Sequence, residues 1–182
     1  MTSTPPPDGA AQDPREQFTR FYTEYQPQFV KFVHFHAPAA DEESIVGNAF
    51  LEVYSRWERI DNPTAYMYGV LRKSLARHYE AAKNEASLLE QLTHSRSSQI
   101  DFDPLERKIV HDDVVAALQS LPPAMREVAI MKWILDKPTL LIADELGIAR
   151  STVTTHLTNA GRRLEELFDA TATRRGTGKG ER

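Results

Sequence analysis

The chain has 182 residues, with 22 lysines and arginines against 26 aspartates and glutamates, a formal net charge of -4 and no cysteine. That length supports one or two small globular domains, and the lack of cysteine excludes disulfides, thiolate-ligated zinc and thiol redox sensing. A net negative charge excludes attachment to nucleic acid by bulk charge, so any basic surface must be local.

The N-terminus, "MTSTPPPDGAAQDPREQ", has neither a basic start nor an apolar run, and no later stretch is apolar for long enough to cross a bilayer. The expectation is a cytoplasmic protein that does not engage a membrane, with a disordered, proline-rich leader over residues 1–13. From Phe18 the apolar residues Phe21, Tyr22, Tyr25, Phe29, Phe32 and Val33 fall at steps of three and four, which puts them on one helix face. A second helix follows "APAADEES", with Asp41 as N-cap, acidic residues in its first turn, and an apolar stripe of Ile45, Val46, Ala49, Phe50, Val53, Tyr54 and Trp57. A third starts at "DNPTAY", where Asn62 caps and Pro63 takes the first helical position. It runs to about residue 82 through Tyr66, Val70, Leu71 and Leu75.

From residue 84 the pattern dissolves into "NEASLLEQLTHSRSSQIDFDPLERK", a polar linker candidate with room for one short helix at "EASLLEQL". Periodicity returns in "DDVVAALQSL", stops at Pro122 and Pro123, and resumes in "AMREVAIMKWIL", apolar on most sides and therefore expected in the core. Then come "TLLIADEL", a turn at Gly147, and "IARSTVTTHLTNAGRRLEELF". No strand-like alternation persists and no repeat is found. The fold class is all-α: two small helical domains, 14–83 and 108–168, joined by a flexible linker over 84–107, with a disordered basic tail at 169–182.

Enzyme chemistry finds little footing. His34 and His36 sit two residues apart, a step that points helical side chains about 200° apart and away from a shared metal. The carboxylates of "DEES" and "LEEL" fall at a helix start and on a solvated face, where capping and solubility account for them. Glycine-rich phosphate loops, nucleophile elbows and His-Glu-x-x-His are all absent. No cofactor or metal is expected, and no catalytic residue.

"TLLIADELGIARSTVTTHL" carries a stronger signal. Ala143 suits a close helix approach, Gly147 a tight turn, and Ile148, Val153, Leu157, Ala160, Leu164 and Leu167 a continuing inward stripe, the pattern of a helix-turn-helix. Arg150, Ser151, Thr154, Thr155, His156 and Asn159 lie on the opposite face. On the third helix Arg72, Lys73, Arg77 and Lys83 lie on more polar sides.

In order, "FTRFYTEYQPQFVKFV", "DEESIVGNAFLEVYSRW", "NPTAYMYGVLRKSLARHYE", "LQSLPPAMREVAIM" and "LIADELGIARSTVTTHLTNAGRRL" resemble bacterial RNA polymerase sigma factors of the extracytoplasmic-function group. The resemblance covers residues 18–83 and 111–168. It implies a first domain that grips the polymerase clamp and melts the minus-ten element, and a second that reads the minus-thirty-five element and touches the polymerase flap. Its partners would be core RNA polymerase, double- and single-stranded promoter DNA, and an anti-sigma protein where one exists. By the same resemblance Ser44, Gly47, Asn48, Leu51 and Glu52 match the clamp-binding face. Asn62, Arg72, Lys73, Arg77, His78 and Tyr79 match the minus-ten and melting face, and Arg150, Ser151, Thr152, Thr154, Thr155, His156 and Asn159 the recognition helix.

Several positions depart from the family pattern. Ser44, Gly47 and Asn48 stand where an acidic residue and a Gln-Glu pair are usual, and a helical glycine costs about 1 kcal/mol relative to alanine. Tyr66 replaces a common tryptophan, and Lys73 and residues 76–79 replace an asparagine and an Asp-x-x-Arg. Thr154, Thr155 and His156 stand in place of Lys-Ser-Arg, Asn159 in place of an arginine, and Ala149 where a serine usually caps, which leaves Ser151 to cap the helix. Threonine and asparagine can bond phosphates and base edges, and threonine methyls can meet thymine methyls. Two other readings stay open on the sequence: a stand-alone helix-turn-helix regulator that does not engage polymerase, and a helical adaptor whose basic faces bind acidic proteins.

Overall fold

Asp13 caps the first helix, α1 (Pro14–His36): its carboxylate accepts the Arg15 N–H at 2.9 Å, and Pro14 has no N–H to leave unpaired. The computed structural model describes residues 13–92 and 105–176. The remainder of the proline-rich leader (1–12), the centre of the expected linker (93–104) and the end of the expected tail (177–182) lie outside the described residues.

The aromatic face of α1 turns inward, with Phe21, Phe29, Phe32, Val33 and Phe35 buried and Tyr22 left exposed. Asp41 caps α2 (Glu42–Tyr54) by accepting the Ser44 N–H at 3.0 Å. From α2, Phe50 meets Phe18, Phe21 and Phe29 edge-on at centroid distances of 6.2, 5.8 and 5.8 Å, the geometry the ring quadrupoles favour. A 3-10 turn (Trp57–Arg59) leads to Asn62, whose Oδ1 accepts the Ala65 N–H at 3.0 Å at the start of α3 (Pro63–Leu92). This helix runs past residue 83 and absorbs "EASLLEQL", because neither glycine nor proline occurs after Gly69 to stop it.

The second half comprises α4 (Leu105–Gln119), α5 (Pro123–Ala129), a π-helical turn (Ile130–Ile134), α6 (Thr139–Leu146) and α7 (Arg150–Gly176). "AMREVAIMKWIL" is buried through Val128, Ala129, Ile130 and Met131 as expected, but it does not end as regular α-helix. The Leu135 N–H reaches back to the Ile130 carbonyl at 3.0 Å, Asp136 takes a left-handed φ of 52°, and Trp133 is left 44% exposed. Gly147, at φ 65°, then closes α6: its N–H bonds the Asp144 carbonyl at 3.2 Å and the Ile148 N–H bonds the Ala143 carbonyl at 3.0 Å. That pairing is the Schellman turn, for which glycine avoids the Cβ penalty. Ser151 does not take the capping place of α7. The Ala149 carbonyl accepts the Val153 N–H at 3.1 Å, so Ala149 holds the cap position and Ser151 lies within the first turn. α7 also continues to Gly176, beyond the residue 168 at which the sequence suggests the domain ends.

The described residues are all-α, with no strand among them, and form two helical clusters that pack on each other. α6 lies against α3, while α4 and the π turn lie against α1. The buried side chains form one continuous core in which Phe29, Phe32, Tyr68 and Leu71 of the first half join Leu118, Leu121, Met131 and Ile142 of the second.

Candidate nucleic-acid interface

The second helix of the helix-turn-helix divides as its sequence pattern requires. Val153 and Ala160 are fully buried against α5 and α6, Leu157 and Leu164 are half-buried, and Arg150, Ser151, Thr154 and Thr155 are exposed, while Leu167, expected on the inward stripe, is 38% exposed because α7 has by then run past the core. Thr152, His156 and Asn159 are half-buried at the edges of that face, and the His156 Nδ1 is buried without a hydrogen-bond partner. Thr154 Oγ1 donates to the Arg150 carbonyl at 3.1 Å, and Thr155 Oγ1 donates to the Ser151 carbonyl at 2.9 Å. Each hydroxyl proton is thus spent inside the helix, leaving lone pairs and a methyl group for an outside partner. Further along, Arg162 and Glu166 form an exposed i,i+4 pair at 2.7 Å.

On α3, Arg72, Lys73, Arg77 and Tyr79 are exposed and His78 is half-buried. Arg77 bonds the Lys73 carbonyl at 3.4 Å and Ser74 Oγ at 3.3 Å, which holds its guanidinium along the helix. Three of the residues assigned to this face touch the second half instead of solvent alone. Asn62 Nδ2 donates to Asp144 Oδ2 at 3.1 Å, Arg72 Nε stands 3.5 Å from Glu127 Oε1, and the Tyr79 hydroxyl accepts from Arg126 Nη1 at 2.9 Å.

On α2, Ser44, Gly47, Asn48 and Leu51 are exposed and Glu52 is half-buried, within 3.5 Å of the Tyr66 hydroxyl. Ser44, Gly47, Asn48 and Leu51, but not Glu52, border an open groove of about 730 Å³ whose other walls include Arg15, Phe18, Tyr22 and Tyr54. Leu51, 68% exposed, lines it together with the exposed rings of Tyr22 and Tyr54, a contiguous apolar patch of the kind a partner covers. A Cβ added at Gly47 would meet nothing within 4 Å, so packing within the chain does not require this glycine.

Two buried polar groups between the halves escape a reading of the sequence. Arg126 lies in a mostly apolar run and is buried, and its partners are mostly carbonyl oxygens, which no side-chain pattern reveals. Lys137 and Glu145 form a buried bidentate pair at 2.7 Å, with the Lys137 Nζ 5.1 Å from the centre of the Tyr68 ring. Burial pushes the Glu145 carboxyl up from its ordinary value, and Lys137 opposes the shift. His34 and His36 do not converge on a metal. His34 pairs with Glu42 at 3.3 Å while His36 is buried under Tyr79, and no metal-holding cluster occurs among the described residues. Among those residues, too, no helix is long and apolar enough to cross a membrane.

The GerE description, bacterial regulatory proteins of the luxR family, matches residues 124–167, from α5 through most of α7. No curated protein matches the chain. Solved structures match over both halves. CnrH, in complex with the cytosolic domain of CnrY, is 16% identical with a TM-score of 0.64, over 86% of this chain and 90% of that one. The sigma factor RpoE from Bartonella quintana, in complex with the anti-sigma factor NepR, is 18% identical with a TM-score of 0.66, over 85% of this chain and 98% of that one. From α1 to α7, the chain therefore has the fold of a solved sigma factor.

Proposed function

We propose that the chain is an RNA polymerase sigma factor of the extracytoplasmic-function group, a DNA-binding initiation subunit that acts in the cytoplasm and performs no covalent chemistry itself. The observation that carries this reading is the extent of the fold likeness: the match to the sigma factor RpoE takes in 98% of that chain, and so both halves. A helix-turn-helix alone would leave the first half unexplained. In this reading Ser44, Gly47, Asn48, Leu51 and Glu52, with the groove beside them, meet the polymerase clamp. Asn62, Arg72, Lys73, Arg77, His78 and Tyr79 handle the minus-ten strand, and the face from Arg150 to Asn159 reads the minus-thirty-five element while its domain touches the flap.

Two of the matching structures each hold a second protein, the cytosolic domain of CnrY and the anti-sigma factor NepR, which supports a partner of the anti-sigma class for this chain as well. The luxR-family match over residues 124–167 favours a second reading, a stand-alone regulator, since it covers the helix-turn-helix and nothing of the first half. The two separate on core polymerase. The full chain mixed with core enzyme should co-elute stoichiometrically and support initiation from a promoter that core enzyme alone ignores. Duplex binding without any polymerase complex would install the stand-alone regulator in its place.

A further inference from the structure

We infer that the groove between α1 and α2 is a site for a proline-rich segment, and that its occupant is this chain's own "TPPPD", residues 4–8, which core polymerase must displace. The competition rests on the clamp contact proposed for the same groove, and deepens it by naming what regulates access.

The walls suit polyproline in shape and in hydrogen bonding. A polyproline II helix has no internal hydrogen bonds and its prolines bring no N–H, so it presents apolar rings and carbonyl acceptors alone. Such segments dock where aromatic rings line a groove. Here the Tyr54 ring leans on Phe18 and the Tyr22 ring on Phe50, each pair with centroids 4.7 Å apart, and both tyrosines are nearly half exposed. The polar side chains lining the groove are Arg15, Thr19, Tyr22, Ser44, Asn48 and Tyr54, with no carboxylate among the described residues there to repel a row of carbonyls. Thr19 donates its hydroxyl proton to the Arg15 carbonyl at 2.8 Å, while the other five are donor types that a bare carbonyl needs. Gly47 leaves the α2 wall low, with nothing within 4 Å of where a Cβ would stand, so a pyrrolidine ring can approach the backbone.

The chain also enters at the edge of this groove. A second cavity, of about 520 Å³, begins at Asp13 and shares Arg15 and Tyr54 with the first, so the recessed surface is continuous from the start of α1 to Tyr22. Along α1 the groove runs from Arg15 to Tyr22, about 10 Å at the helical rise per residue. Pro5 lies eight residues before Asp13, a reach of up to about 25 Å in polyproline II geometry, so the prolines can cover the whole groove. Asp8-Gly9 puts a turn-forming pair between the prolines and α1, where the chain has to reverse. Asp8 also carries a carboxylate toward the second cavity, whose walls hold Arg15, Arg56 and Arg59 against Asp13 and Glu58. A segment tethered this closely acts at an effective concentration on the order of millimolar, so a contact too weak to hold a free peptide fills the groove within the chain.

The test uses the full chain, which has no cysteine of its own, carrying a nitroxide at Thr4→Cys. Docking should broaden the amide signals of Asn48, Leu51 and Tyr54, and Pro5→Ser, Pro6→Ser and Pro7→Ser together should restore them. These substitutions lie before the first helix, and an unchanged melting temperature verifies the fold. Core polymerase should bind the serine variant, and a chain lacking residues 2–12, about tenfold more tightly than the intact chain, the gain expected when the groove is about nine-tenths occupied. Groove signals that are the same with and without the prolines overturn the inference, whatever polymerase does. Broadening that fades on dilution gives the groove to the leader of a second copy and overturns it equally. Docking together with equal polymerase affinity for the intact and serine chains overturns the competition. Docking in a chain that binds no polymerase, with or without its prolines, sustains the proline site and removes the sigma reading.

Discussion

Arg72 Nε stands 3.5 Å from Glu127 Oε1 across the boundary between the halves, and the carboxylate it faces is buried. Burial pushes the Glu127 carboxyl up to about 7, with Arg72 opposing, while burial and then Arg126 push His36 down to about 4. The two act on stability with opposite signs. A raised carboxyl stabilises the packed state fully below its unfolded value of 4.5, and that contribution is lost as pH rises through 7. The lowered histidine contributes fully above 6.5 and loses its contribution as pH falls through 4. Glu145, also raised, adds to the Glu127 trend. Between about 4.5 and 6.5 the contributions therefore oppose one another, and from 6.5 upward the carboxyls act alone. The melting temperature should decline from pH 6.5 to 8, and Glu127→Gln should flatten that decline. An equal slope in both proteins would assign the titration to another group.

Glycine has opposite meanings at two positions. At Gly47 a methyl group meets nothing within 4 Å and the residue sits inside α2, so Gly47→Ala should stabilise the chain by up to about 1 kcal/mol. Gly147 holds a φ of 65°, and Gly147→Ala should destabilise by about 1 kcal/mol or more, because a Cβ is strained there whatever the space. Chemical denaturation of both variants checks the pair. If Gly47→Ala stabilises the chain yet weakens core-polymerase binding, the missing side chain serves a partner's close approach.

How much of this was legible in the residues depended on whether a feature is local. Asp41 and Asn62 announced their caps because an N-cap is satisfied within three residues, and both bonds are present. Val153 and Ala160 announced their burial through helical spacing. The buried Arg126 site did not announce itself. Arg126 reads as an interruption in an apolar run, and its cross-half partners, the His36 carbonyl and the Tyr79 hydroxyl, come from sequence positions far away. Periodicity says which face a residue takes and nothing about which distant helix meets it. The π turn was hidden for a related reason: "AMREVAIMKWIL" is a good helix by composition, and its break is set by the Asp136 backbone and the approach to Pro138.

The groove on α1 and α2 gives a direct test of the proposed clamp surface. Leu51→Asp places a charge on a side chain that is 68% exposed, so the core is untouched and folding should lose only about 1 kcal/mol, from poorer helix propensity and a negative charge in the last turn of α2. If polymerase covers Leu51, that charge loses its water on binding, and affinity for core enzyme should fall by roughly tenfold or more. Tyr54→Ala, at a half-exposed ring one turn along the same helix, should act in the same direction. Competition between labelled wild-type chain and each variant for limiting core enzyme measures both. Full competition by Leu51→Asp would move the polymerase contact elsewhere.

The threonines of α7 can be separated atom by atom. Because Thr155 Oγ1 already donates to the Ser151 carbonyl, its hydroxyl can only accept from a base, leaving the exocyclic amines of adenine or cytosine as partners, while its methyl can meet thymine. Thr155→Val keeps the methyl and removes the acceptor, and Thr155→Ala removes both. If the methyl carries the contact, the valine variant should keep the wild-type upstream preference and the alanine variant should lose it. If the hydroxyl carries it, both should lose about 1 to 3 kcal/mol of discrimination at one base pair. Val153→Ala controls for folding. Its side chain is fully buried, so it should cost about 2 kcal/mol of stability and shift melting without redirecting sequence preference. Selection from a randomised upstream element with assembled holoenzyme reads all three variants. An unchanged preference in both Thr155 variants would take this residue off the base-reading face and leave the Arg150 end of the helix to carry recognition.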